Sequence, residues 1–383
     1  MKVIHISDLH LGKSLGPSSL EEAQEDILKK IIKISKDENA DAIIIAGDVY
    51  DVGIPSEKAV ALLDRFLTSL MKEGINTLLI SGNHDSAQRI SFGNKIMEAA
   101  NIYVSSAYKG DVKKVTFTDE YGPVNFYLLP FFRQGTVKKV YPDEKIENYT
   151  DAMRVIVEHM NVDTNERNVL IAHQFITGSE KVGDEISVGT LDNIDASAFE
   201  PFDYVALGHI HRPQNVGGDE RICYCGTPLK YSLSEVNQEK SVKIVEFKEK
   251  KDGKANIIHS RIPLKPLHEL REVRGNFDEI INGKIGNDID KEDFVVIRLT
   301  DEEDIPNGYQ RLNDRFSNIV GFEYDNKRTN NTNTLDSLQK PDNLTPLERV
   351  EEFYRFRNNQ DMTSEQLEYM DEIIKDIWQG VER

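Results

Sequence analysis

At 383 residues, with 39% hydrophobic and 30% charged side chains, the chain has the make-up of a globular protein of two or three structural units. A net charge of −19 sets its surface against polyanions on average, so contact with nucleic acid would need a local basic patch, bound cations or a partner. No apolar stretch is long enough for a membrane helix, and Met1 leads into an apolar strand without a secretory pattern, which predicts a cytoplasmic protein.

The first part alternates strand and helix. Residues 1–7 read as an apolar strand, followed by a loop with Gly12 and Gly16-Pro17. A helix is predicted from Ser18 or Ser19, with capping-box spacing to Glu21 or Glu22 and with Ile27, Ile31 and Ile34 on one face. The run from Asp41 to Ala46 has the pattern of a strand buried on both faces. Ser56 opens a second helix carrying Val60, Leu63, Phe66, Leu67 and Leu70, and Thr77 to Ile80 is the next strand. Further strands are predicted at 112–117, 124–129, 169–172, 204–207, 242–247 and 257–262. Fewer helices separate these, which predicts an α/β fold: a two-layer β-sheet core flanked by helices, covering 1–262. Cys223 and Cys225 are the only cysteines; they are read as packing residues, not as a disulfide or a thiolate metal site.

After Pro263 the texture changes to a small α+β unit over 263–325, with strands near 267–273, 294–299 and 319–324 and helices near 277–281 and 309–316. Residues Asn326 to Asn343 are polar and aperiodic and read as a linker. The segment 344–383 is predicted to form two amphipathic helices. Thr345-Pro346 with Glu348 starts the first, and Thr363 with Gln366 the second. Leu347, Val350 and Tyr354 share one face; Leu367, Met370, Ile374 and Trp378 share another.

Five clusters carry candidate chemistry: Asp8-Leu9-His10, Gly47-Asp48-Val49-Tyr50-Asp51, Gly82-Asn83-His84-Asp85, His173, and Gly208-His209-Ile210-His211. Each follows an apolar strand, and in open α/β sheets ligands bind outside the carboxyl ends of strands. Singly, each could be a capped turn, an Asx-turn or a hydrogen-bonded buried histidine. Together they supply three oxygen donors (Asp8, Asp48, Asn83) and four imidazoles (His10, His173, His209, His211). That mixture suits a pair of ions such as Mn²⁺, Fe or Zn²⁺ better than Ca²⁺ or a thiolate site. A pair about 3.5–4 Å apart supports in-line displacement at a phosphate, with Asp48 as bridging carboxylate. His84 is then the general acid or transition-state stabiliser. Gly12-Lys13-Ser14 resembles the end of a nucleotide-binding loop, but the required earlier glycine falls at Ser7, so no ATP site is expected.

Taken in order, Asp-x-His, Gly-Asp-x-x-Asp, Gly-Asn-His-Asp, His and Gly-His-x-His resemble the calcineurin-like metallophosphoesterase superfamily, with all five motifs intact. Within it, three features are similar to the bacterial nuclease subunits that act with an SbcC-type ATPase. They are Gly47–Asp51 with Pro55, Ser91-Phe92-Gly93, and Gly226-Thr227-Pro228-Leu229-Lys230-Tyr231-Ser232. The resemblance implies that Asp8, His10, Asp48 and His211 bind one ion and Asp48, Asn83, His173 and His209 the other, with His84 as the catalytic histidine. Asp51 stands where archaeal and eukaryotic relatives carry histidine and is a second candidate catalytic residue. The resemblance further implies manganese-dependent exonuclease action on duplex ends and endonuclease action on hairpins or single strands, in DNA repair, recombination and replication. It implies a homodimer, a DNA-facing cap at 263–325 and an ATPase-binding tail at 344–383. Lys13, Arg89, Arg133, Arg212 and Lys230 are the candidate DNA contacts.

Two other readings compete. A phosphomonoesterase or cyclic-nucleotide phosphodiesterase would use the same metal pair but needs neither cap nor helical tail. A non-catalytic scaffold would have lost ligands, and all seven are present.

Overall fold

The hydrophobic runs become two six-stranded sheets in a computed structural model, which describes all residues except 106, 181–192, 252, 327–328, 330–344, 359–360 and 382–383. The chain divides into two compact units, Met1–Glu269 and Leu270–Arg383.

The first unit begins with β1 (Lys2–Ile6), a short hairpin of β2 (Ser14–Leu15) and β3 (Ser18–Ser19), helix α1 (Glu21–Asp37), β4 (Ala42–Ala46) and α2 (Glu57–Lys72). β5 (Asn76–Ile80), the short helices α3 (Ala87–Ile90) and α4 (Asn94–Ala99), and β6 (Ile102–Ser105) follow. Next come β7 (Lys113–Asp119), β8 (Gly122–Leu128), α5 (Gln134–Val140), α6 (Tyr149–His159), β9 (Arg167–His173) and β10 (Tyr204–Gly208). β11 (Gln214–Val216), β12 (Asp219–Tyr224), β13 (Ser241–Lys251) and β14 (Lys254–Pro263) complete it. One sheet has the order β14-β13-β1-β4-β5-β6 and the other β11-β12-β10-β9-β8-β7. In each, four neighbouring strands run parallel: β1, β4, β5 and β6, and β8, β9, β10 and β12.

The two sheets bury their facing sides against each other. Val3, Ala42, Ile44, Leu78 and Ile80 from one meet Val124, Phe126, Val169, Ile171 and Ala206 from the other in a single apolar core. This explains the unbroken apolar run of β4, every residue of which is buried. Cys223 lies in that core; it and Cys225 are buried and unbridged.

Two sequence expectations need correction here. Ser18 and Ser19 form the second strand of the small hairpin, and α1 starts at Glu21 behind Leu20; Ser19 Oγ accepts from Glu21 N at 3.3 Å, but no capping box forms. The turn of that hairpin is Gly16-Pro17, and the serines pair with Leu15 and Ser14 beyond it. Ser56 does cap α2 through Ala59 N, but Val60 is 46% exposed, one position off the buried stripe of Ala59, Leu63, Phe66 and Leu70.

The second unit holds β15 (Leu270–Gly275), α7 (Phe277–Ile281), β16 (Phe294–Leu299), α8 (Gly308–Asn313) and β17 (Asn318–Tyr324). Its three strands pair in sequential order and are all parallel. The α+β unit expected here thus takes the more specific form of a β-α-β-α-β layer, closed by Val273, Phe277, Ile280, Ile297, Leu312 and Phe316. Most of the stretch read as a linker lies outside the described residues. Its first residue is an exception: Asn326 is buried and donates to Asp301 O at 2.9 Å. Helices α9 (Pro346–Asn358) and α10 (Ser364–Val381) follow. Both capping boxes form: Glu348 N donates to Thr345 Oγ1 while Glu348 Oε2 accepts from Thr345 N, and Gln366 and Thr363 exchange the same pair. Among the described residues no helix is long and apolar enough to cross a membrane.

Candidate metal centre

All seven candidate ligands, with His84 and Asp51, meet at the carboxyl ends of the central parallel strands. β1, β4 and β5 deliver Asp8, His10, Asp48 and Asn83 from one sheet. β9 and β10 deliver His173, His209 and His211 from the other. The centre therefore spans the seam between the sheets. Hydrogen bonds tie that seam: His209 N donates to both Asp8 carboxylate oxygens at 3.1 Å, and His173 Nδ1 lies 2.8 Å from Ala46 O.

Turning chain out of a strand so abruptly strains the backbone. Eight non-glycine described residues have positive φ; four are asparagines, which tolerate it, and the others are Asp8 (52°), His10 (42°), Asp48 (47°) and His209 (102°). Such residues persist only where surrounding structure enforces them, and they concentrate at functional sites. Two glycines make the close approach sterically open. A Cβ at Gly82 would lie 2.1 Å from Asp48 Oδ1, and one at Gly208 would lie 2.0 Å from Ala46 O and 2.8 Å from His173 Nδ1.

Donor atoms of Asp8, His10 and His211 lie within 4.8 Å of one another, as do those of Asp8, Asp48 and His173 and those of His10, Asp51 and His84. Asp48 Oδ2 is 3.2 Å from His173 Nε2 and 3.9 Å from His10 Nε2, so this carboxylate stands between the groups. Asn83 Oδ1 is 3.0 Å from His173 Nε2 and 3.1 Å from His209 Nδ1. His84 packs edge-on against His10 with ring centroids 4.9 Å apart, and its Nδ1 lies 2.9 Å from Asp51 O, leaving an exposed ring at the mouth.

The donor set fits divalent ions on one observation above others. His10 is 1% exposed, yet neither of its ring nitrogens makes a hydrogen bond, although Nδ1 lies 3.3 Å from Asp51 Oδ1. A buried polar atom without a partner is costly, and a cation facing Nε2 would satisfy it. Electrostatics point the same way. Burial opposes charge on His173, but the Asp48 carboxylate beside it holds the imidazole up at about 9. Burial likewise works against ionised Asp48, and His173, then His10, hold its carboxyl far below the usual range. His209 is pushed down to about 3 by burial and then by His173. Buried carboxylates beside buried imidazoles thus hold protons where cations belong.

Several supporting residues escaped the sequence reading. Asp85 accepts from Val49 N, Tyr50 N and Gly82 N at 2.9–3.1 Å, lacing the two loops that carry Asp48 and Asn83; burial and the nearby Asp48 push it up to about 6. Gln24 of α1 donates to His10 O at 2.7 Å, and Tyr231 donates to Leu9 O while its ring packs on His10. Ser7 donates to Asp8 and accepts from Cys225 Sγ, so that cysteine does more than pack. Glu235, a buried carboxylate, lies 3.0 Å from His211 Nδ1. Asp85 and Tyr231 stand inside recognisable motifs; Gln24 and Glu235 carry no local signal.

Of the candidate basic residues, Lys13 is paired with Asp51 at 2.7 Å, Arg212 with Glu180 at 2.6 Å and Lys230 with Glu269 at 2.8 Å. Arg89 and Arg133 are exposed and have no carboxylate partner among the described residues. Burial opposes the charge on Asp51, but His10 and Lys13 hold its carboxyl down at about 2.

Fold and centre define a two-layer α/β phosphoesterase with a divalent-metal site. Residues 1–213 match the calcineurin-like phosphoesterase family, and residues 266–358 match a domain described as the type 5 capsule protein repressor C-terminal domain. SbcD, the nuclease component of SbcCD, from Staphylococcus epidermidis is 33% identical over 84% of this chain and 85% of its own. Its counterpart from Staphylococcus saprophyticus is 32% identical over 98% of both. A solved dimetal phosphatase from Danio rerio covers 69% of this chain and 99% of its own at 11% identity and a TM-score of 0.35. The chain belongs to the calcineurin-like phosphoesterases and, within them, to the SbcD nucleases of SbcCD; it is a metal-dependent nuclease subunit.

Proposed function

We propose that this nuclease holds two divalent ions, Mn²⁺ in the cell, and hydrolyses DNA phosphodiester bonds at duplex ends, hairpins and single strands together with an SbcC-type ATPase. Asp8, His10, Asp48 and His211 would hold one ion and Asp48, Asn83, His173 and His209 the other. When bound, the pair supplies Lewis-acid stabilisation of the phosphoryl oxygens and a nucleophile at neutral pH. The observation that carries the reading is His10: a buried imidazole whose two ring nitrogens make no hydrogen bond, with Asp8, Asp48, Asp51, His84 and His211 around it.

The chain's own groups then divide the work. Asp48, between the two sets, holds them in one register. His84, anchored through Nδ1 on Asp51 O and exposed at the mouth, has Nε2 left to serve a leaving oxygen as proton donor or hydrogen-bond donor. Asp51, the second candidate catalytic residue, holds His84 through its carbonyl, and its carboxylate lies 3.3 Å from His10 Nδ1 at the same mouth. A cytoplasmic location, repair and recombination as the setting, and the DNA-facing role of 263–325 belong to the same proposal.

A homodimer is part of it too; Phe92 and Ile96, just after the Asn-His-Asp motif, are 83% and 80% exposed and are the apolar side chains we would place at that contact. The ATPase would bind α9 and α10, which cannot bury their apolar faces on each other alone; Phe353 and Tyr369 are exposed. The test is cleavage of duplex and hairpin DNA with Mn²⁺, with and without the ATPase, against p-nitrophenyl esters. Preference for the small esters would favour the phosphomonoesterase instead.

A further inference from the structure

Glu235 is buried to 1% exposure, outside every motif, and its two carboxylate oxygens are both engaged. Oε1 is 3.0 Å from His211 Nδ1. Oε2 accepts from Lys240 Nζ at 2.6 Å and from Thr227 Oγ1 at 3.2 Å. Lys240, itself 5% exposed, also donates to His211 O at 3.0 Å, and Thr227 N donates to the same carbonyl at 3.1 Å. A buried carboxylate, its neutralising ammonium and a hydroxyl are thus wrapped around one histidine, gripping both its ring and its backbone. A ring nitrogen of His211 lies within 4.8 Å of donor atoms of Asp8 and His10. His173, by contrast, rests its Nδ1 on a neutral carbonyl, that of Ala46.

We infer that Glu235 is a positioning residue for His211, fixing its tautomer and raising its basicity, so that the two halves of the metal centre are unequal. The inference rests on the two-ion reading above. A carboxylate behind a ligating imidazole makes it a stronger donor than a carbonyl does, and losing such a partner typically weakens metal affinity about 10–100-fold. Lys240 keeps the carboxylate from adding net charge to the buried site, and Thr227 fixes its rotamer.

Manganese chloride alone, titrated into the full chain and followed by calorimetry and by electron paramagnetic resonance, tests this. Glu235→Gln should weaken one of two ions by about tenfold or more and leave the other nearly unchanged. Because Gln would strand the Lys240 ammonium, the double variant Glu235→Gln/Lys240→Met is measured beside it; it should show the same one-ion loss while melting, metal-free, close to the unaltered chain. Equal weakening of both ions, or no change in either, would overturn the assignment of Glu235. An unaltered chain that binds no manganese would overturn the two-ion reading itself.

Discussion

His173 Nε2 lies 3.2 Å from Asp48 Oδ2, an ion pair completely enclosed by the two sheets. The pair competes with metal, because a proton on Nε2 occupies the position a cation needs. The folded pKa is raised, from 6.5 to about 9, so the pair's contribution to metal-free stability is full below 6.5 and fades as pH rises through 9. Manganese affinity should do the reverse, rising by up to about tenfold per pH unit across that window and levelling above it. Calorimetry in buffers of different ionisation enthalpy reads the released proton directly, and a pH-independent affinity would remove the pair from the binding step.

His84→Ala should lower DNA cleavage by about 10²-fold or more while metal occupancy stays intact. The backbone bond from His84 N to Asp48 Oδ1 (2.8 Å) survives that substitution. Asp48→Ala should lose both cleavage and metal. Metal analysis after gel filtration separates the two; equal metal loss would make His84 a ligand or a fold determinant.

Gly82→Ala puts a methyl group 2.1 Å from Asp48 Oδ1 and 2.4 Å from Asp48 N, so the bridging carboxylate must move. Displacement on the order of 1 Å costs about 10²-fold in rate, and the melting temperature in chelator should fall as well. Normal activity in this variant would show that Asp48 has room the geometry denies it.

Arg89 and Arg133, exposed and without carboxylate partners among the described residues, are the strongest of the five basic candidates. Replacing both with Gln should reduce the slope of log affinity against log salt by about two, near 0.9 for each phosphate no longer neutralised. Lys13→Gln should leave that slope unchanged and act through Asp51. An unaltered slope in the arginine double variant would place the DNA path elsewhere.

Ending the chain before Thr345 removes α9 and α10 with both capping boxes. Co-purification with the ATPase should vanish while manganese-dependent cleavage persists. Full-strength capture of the ATPase by the shortened chain would make the helices structural only.

The centre was legible because each ligand follows an apolar strand, a pattern that survives without any knowledge of how the strands pair. Asp8 and His209 lie far apart in sequence, yet period and punctuation alone put both at carboxyl strand ends. What stayed hidden depends on tertiary contact. Glu235 ends a single 3-10 turn (Leu233–Glu235) beyond β12, too short for a periodicity that would mark its side chain as buried, and only the fold brings it to His211. The Ser18-Ser19 pair misled for a local reason: Gly16-Pro17 turns the chain so that the serines pair with β2, and the helix starts two residues later, at Glu21. β6 and β11 are edge strands of four and three residues, too short to carry a periodic signal, and β12 runs from exposed to buried without alternating.

Four of the seven ligands belong to one sheet and three to the other, which gives the centre a place in the order of folding. Neither sheet alone owns a complete donor set, so metal has nothing to grip until the two layers have closed on each other. Contacts this distant in sequence form late. Manganese at a hundred times its dissociation constant would then add about 2.7 kcal/mol to the closed state alone. Chelation should register far from the ligands, as faster amide exchange along β4, β9 and β10, the strands whose facing sides the ions help to clamp shut.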